Sequence, residues 1–128
     1  MTIRELLDLV DDLKPNDVGR ERKIGWLSDI ERRVYEDIIA LHEQTQLESI
    51  PKKGFTGYTE ETDESTKLLV PEPYCELYRW YLEMQIDLVN MELAKHNNSL
   101  MLFENAWREY AGKYHRTHLP KCDTNFKY

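Results

Sequence analysis

Apolar residues recur at helical spacing in four stretches of the chain, and a long polar interval separates the first two from the last two. In the first stretch Ile3, Leu6, Leu7, Val10 and Leu13 share one face, with Arg4, Glu5, Asp8, Asp11 and Asp12 outward. Thr2 and Glu5 have the spacing of a capping box, and Pro15 disfavours helix at Lys14. In the second, Leu27, Ile30, Val34, Ile38 and Leu41 point inward, while Glu31, Arg32, Arg33, Glu36 and Asp37 mostly take the other side. That helix is expected to begin near Asp17 and to bend near Gly25 or Ser28, where Ser28 and Glu31 make a second capping pair.

From Glu43 to Val70 the helical period is lost and Pro, Gly, Thr and Ser dominate, so the interval reads as loop, with "GFTGY" and "KLLV" as candidate strands of a short β-hairpin. A connection of about 28 residues far exceeds the usual four to six. Its Phe55, Tyr58, Leu68, Leu69 and Val70 have no obvious place in a four-helix core. Helix three opens with Pro71 and Pro73 in its first turn and is expected to be the longest, with Leu77, Tyr81, Met84, Leu88 and Met91 on one face. Tyr78, Leu82, Ile86, Val89 and Leu93 widen that face beyond half the circumference, which calls for two neighbours. A turn at "HNN", capped by Asn97 or Asn98, leads to helix four, where Phe103, Ala106, Trp107, Tyr110 and Tyr114 recur. The prediction is an all-α, four-helix protomer whose C-terminal hairpin packs through Leu77, Tyr81, Met84, Leu88, Phe103, Trp107 and Tyr110. One domain covers 1–128, with 44–70 as a projecting arm and 117–128 as an irregular tail.

Composition narrows the functional classes. With 41% hydrophobic and 11% aromatic residues the chain is too apolar for a disordered protein. A net charge of −7 argues against a broad basic face for nucleic acid, whose affinity comes mostly from neutralised phosphates. Cys75 and Cys122 form no CxxC, and "MTIRELLDLVDDL" lacks the apolar core of a signal peptide, so synthesis in a reducing cytoplasm is expected. No apolar run approaches the roughly 20 residues of a membrane span.

Candidate chemistry is sparse. The acidic run Glu60, Glu61, Asp63, Glu64 fails as a calcium loop, because no central Gly follows and Lys67 intrudes. His115 and His118 could share a metal with Cys122, but a fading helix favours the alternative that these histidines suit its C-terminus; His42 and His96 have the same explanation. Cys75 is flanked by Glu72 and Glu76, which oppose thiolate formation. No nucleophile elbow, phosphate loop or HExxH occurs. No catalytic activity, cofactor or metal is expected, and Tyr81, Trp107 and Tyr110 read as core. The acidic run and the basic C-terminal segment (Lys113, Arg116, Lys121 and Lys127) are complementary; if they met between copies, the contact would be heterologous and could close a ring. The candidate assembly surface is therefore Phe55, Tyr58, Glu60, Glu61, Asp63 and Glu64 together with those four cations.

The block "KIGWLSDIERRVYEDI", the "TEETD" run before "LLVPEPY" and the "NNS" triplet resemble head-tail connector (adaptor) proteins of tailed phages and prophages of Gram-positive bacteria. The resemblance covers nearly the whole chain. It implies a short N-terminal helix, a second helix, a long loop and a helical hairpin. It also implies assembly as a ring beneath the portal, where the loop reaches a neighbour and the chain end meets the portal. The implied partners are copies of itself, the portal, the next tail or neck protein, and DNA passing without sequence-specific contact. The implied location is the head-tail interface of the virion. Another phage neck or virion protein, or a small acidic helical module that binds a protein partner, is the alternative.

Overall fold

In the computed structural model, residues 1–41 and 55–119 are described. The fold is all-α: α1 (Ile3–Leu13), α2 (Arg20–Val34), a single π-helical turn (Tyr35–Ile39), α3 (Glu76–Val89) and α4 (Leu93–Thr117). No strand forms among the described residues, and the proposed β-hairpin is replaced by one isolated antiparallel bridge between Thr2 and Lys67.

The start of α1 follows its sequence signal, since Thr2 Oγ1 accepts the Glu5 N–H at 3.2 Å. Ile3, Leu6, Leu7 and Val10 form its buried stripe, whereas Leu13 is exposed. Helix α2 begins three residues after Asp17 and runs through Gly25 and Ser28 without interruption. The Ser28–Glu31 pair does not start a helix: both residues are buried and serve the 55–70 segment. The π turn, closed by the Ala40 N–H to the Tyr35 carbonyl at 2.7 Å, inserts an extra residue, so that Ile38 and Ile39 are both buried and Leu41 is left in solvent.

Helices α3 and α4 form the expected antiparallel hairpin and make the principal interface of the fold. Its limits differ from the sequence reading. The prolines precede α3 in a turn, with the Glu72–Pro73 bond cis and the Tyr74 N–H on the Pro71 carbonyl at 3.0 Å. α4, not α3, is the longest helix, 25 residues against 14. The reversal lies at Asn90–Glu92, and Asn97 and Asn98 sit exposed inside α4. Backbone closure decides this: the Met91 N–H bonds the Leu88 carbonyl (3.1 Å) and the Glu92 N–H bonds the Asp87 carbonyl (2.9 Å), the two bonds of a Schellman stop. Leu88 thereby falls at the tip and is exposed, and Asp87 turns inward instead, where Lys14 and the Ser99 hydroxyl (3.0 Å) satisfy it. Tyr81 and Tyr110 are buried as expected; Trp107 is only half-buried, with Arg33 over its ring at 5.5 Å.

Candidate assembly surfaces

The 55–70 segment does not project from the helices. Leu68 and Val70 are buried in the common core. The Ile3 N–H bonds the Thr66 carbonyl (3.1 Å), the Arg4 N–H bonds the Glu64 carbonyl (2.9 Å), and the Leu68 N–H bonds the Met1 carbonyl (3.0 Å), so the first turn of α1 finds backbone partners in this segment. Leu68 and Val70, for which the helical periodicity offers no place, are thus part of the core, and Leu69 packs against it. Residues 42–54 of the expected arm lie outside the described residues.

Glu31 is the polar centre of this docking. It is fully buried, one step from Ile30 on the apolar stripe of α2. One carboxylate oxygen accepts the Tyr58 hydroxyl (2.8 Å) and the Leu69 N–H (2.9 Å), and the other accepts the Tyr78 hydroxyl, which in turn accepts the Val70 N–H (2.8 Å). Burial raises the carboxyl pKa above its ordinary value, and the three hydrogen bonds oppose that rise. Both phenols are driven upward, first by burial and then by the neighbouring carboxylate. Gly57, at φ 101°, fits because a β-carbon there would meet Ser28 and Arg32 at 3.0 Å; this close approach brings the Tyr58 N–H to Ser28 Oγ at 2.9 Å.

The candidate surface residues therefore divide. Phe55 packs edge-on against Tyr58 (5.0 Å), and Tyr58 is held by Glu31, so both act within the chain. Glu64 pairs with Arg20 (Nε to Oε1, 3.2 Å), which lowers its pKa, and Asp63 accepts the Ser65 N–H (2.9 Å), which lowers its own. Glu60 and Glu61 are exposed, and neither has an ion pair among the described residues. Lys113 lies over the Tyr74 ring at 5.0 Å, and Arg116 is exposed in the last turn of α4. The described structure does not bring Glu60 or Glu61 to Lys113 or Arg116. Lys121, Lys127 and Cys122 lie outside the described residues. His118 stacks on Tyr114 (3.7 Å, interplanar 2°) with Nδ1 3.2 Å from the Tyr114 carbonyl, consistent with a role at the helix end.

Two surface features escaped the periodicity reading. At the hairpin tip Leu88 (48% exposed), Val89, Met91 (84%) and Leu93 (64%) stand in solvent, and the Lys14–Asp87 pair places exposed Leu13 near the same end. Met91 holds φ 57°, the left-handed position that Schellman stops usually give to glycine. A side chain retained there at the expense of backbone strain, and left in solvent, contributes nothing to the monomer's core.

The second feature lies along the first half of α2, where two adjoining surface hollows of about 510 and 580 Å³ share Glu21 and Gly25 as lining. Tyr58, Glu60 and Glu61 wall one of them, and Trp26 and Asp29 the other. Gly25 is interior to the helix, and beyond its chain neighbours and the helix's own backbone no atom of the described residues lies within 4 Å of where its β-carbon would stand. A helix-interior glycine costs about 1 kcal/mol relative to alanine, and no contact among the described residues requires it here. The signal was present in the sequence as a glycine beside Trp26 in a helical run; the adjoining loop wall was not.

Comparison with known proteins finds no matching family model, no similar curated protein and no similar solved structure. No described helix is long and apolar enough to cross a membrane, and no group of three or more His, Cys, Asp or Glu among the described residues is arranged to hold a metal.

Proposed function

We propose that the chain is a non-enzymatic structural protein of a phage virion, a head-tail connector that assembles as a ring on the portal, helps complete the head and joins the next neck or tail protein. The observation that carries this reading is the hairpin tip, where Leu88, Val89, Met91 and Leu93 are exposed together although α3 and α4 bury the rest of their shared face. Aliphatic side chains concentrated on one turn, one of them in a strained backbone position, favour a surface that is covered on assembly. The sequence resemblance supplies the identity of the assembly, and the absence of nucleophile and metal-ligand motifs supports a structural role. The chain's acidic balance suits a channel wall that repels phosphate, so that DNA passes without being held. The location proposed is the head-tail interface.

The test is to mix the purified chain with its cognate portal protein and image the product by electron microscopy, beside a Met91→Asp/Leu93→Asp variant. Wild type should form rings on the portal. The variant should keep its helical circular dichroism and fail to do so. Wild type that neither binds the portal nor self-associates, or a tip variant that assembles normally, would sink the reading.

A further inference from the structure

The groove on α2 has a floor without a side chain and an excess of negative charge. Glu21, Asp29, Glu60 and Glu61 surround it, and none of the four forms an ion pair among the described residues. Glu60 and Glu21 line the same hollow, and hydrogen bonding with Glu21, followed by its like charge, raises the Glu60 pKa. Arg22 lies on the rim of one hollow. Of the two walls, Tyr58 is fixed by its bonds to Glu31 and Ser28, so the groove is preformed rather than assembled on contact.

The last turn of α4 has the opposite character. Lys113 and Arg116 are three residues apart, hence neighbours on one helix face, and neither is ion-paired among the described residues. Leu119, just past the helix, is 69% exposed. A helix end carrying two cations and an aliphatic residue matches a groove with paired carboxylates, a tryptophan and a bare backbone floor.

We propose that the groove between α2 and residues 58–61 is the acceptor half of a heterologous contact, and that its occupant is the last turn of α4 of a second copy of this chain, with Arg116 between Glu21 and Glu60 and Leu119 against Gly25 and Trp26. The inference rests on the connector reading only in taking the occupant to be another copy. Because the two surfaces differ, each protomer offers both, and the contact propagates or closes on itself. Gly25 has a reason in this arrangement, since a larger residue would occupy the space the incoming helix needs.

The test uses the full chain in sedimentation velocity from micromolar to millimolar concentration, with urea melts to confirm folding. Four forms are compared with wild type: Gly25→Leu, Glu60→Arg, Arg116→Glu, and the last two combined. Wild type should associate. Each single variant should shift association to at least about tenfold higher concentration, and the charge-swapped double variant should recover most of the loss. A wild type monomeric throughout, a Gly25→Leu that associates normally, or a double variant no better than the singles overturns the proposal. So does association restored or blocked by calcium or magnesium alone at the groove, which would make a cation the occupant. Should Gly25→Leu fail to fold, the charge swap decides. Rings on the portal formed equally by these variants would leave the connector reading intact and remove only the groove.

Discussion

Glu31 shows how one residue can be misread by pattern and still be legible in sequence. It counts as a polar position on an amphipathic helix, yet it falls with Leu27, Ile30 and Val34 on the stripe that is buried, and the two tyrosines it holds come from 27 and 47 residues away. Replacing it by Ala would leave two phenols and an amide N–H without an acceptor, and a loss of about 3 kcal/mol or more in urea denaturation is expected. Glu31→Gln keeps an acceptor and should cost less. The pH dependence separates the two forms of the carboxyl. A folded pKa raised above the unfolded value means that the native state binds the proton more tightly, so the Glu31 contribution is greatest below the unfolded pKa and is lost as pH rises through the folded one. The stability gap between wild type and Glu31→Gln should therefore narrow from pH 4 to pH 8. A gap that widens would mean that the hydrogen bonds outweigh burial and favour the anion.

At the level of elements, the hairpin boundary is set by which backbone carbonyls close the stop, and side-chain propensity is secondary. Asn97, Asn98 and Ser99 look like a turn, but each costs only a few tenths of a kcal/mol inside a helix, less than Ser99 regains by bonding the buried Asp87. The reversal moves back to Asn90–Glu92, and Met91 takes the left-handed position. Met91→Gly should relieve that strain and stabilise the monomer by up to about 1 kcal/mol, seen as a modest rise in Tm. The same change removes the most exposed apolar side chain at the tip, so under the connector proposal assembly on the portal should weaken. A variant that is less stable than wild type would show that the methionine packs within the chain.

For the whole molecule, the main revision concerns the long connection. An arm that merely projected could be shortened freely, because exposed loops contribute little to stability. Residues 64–70 instead supply backbone partners to α1, an ion pair to Arg20 and two buried aliphatics to the core. Deleting Thr59–Ser65 should accordingly lower Tm by several degrees and broaden or abolish cooperative unfolding, as followed by calorimetry. An unchanged transition would return the segment to the status of an appended loop. The acidic run is correspondingly divided: Asp63 and Glu64 are used inside the chain, and Glu60 and Glu61 stay exposed without an ion pair among the described residues.

Sequence alone determined the all-α class, the four α-helices of the described residues, the start of α1 and the pairing of the last two helices, because each follows from local periodicity, a capping pair or a short connection. It also located the interval 55–70 as something other than an inert linker, through its aromatic and aliphatic residues. Tertiary structure decided where that interval goes, which carboxylates are buried, where the hairpin reverses and which leucines are left in solvent. These depend on contacts such as Glu31 with Tyr78 and Lys14 with Asp87, between residues 47 and 73 positions apart. A helical period reports only which residues share a face; whether that face meets a core, a buried carboxylate or water depends on the element brought against it.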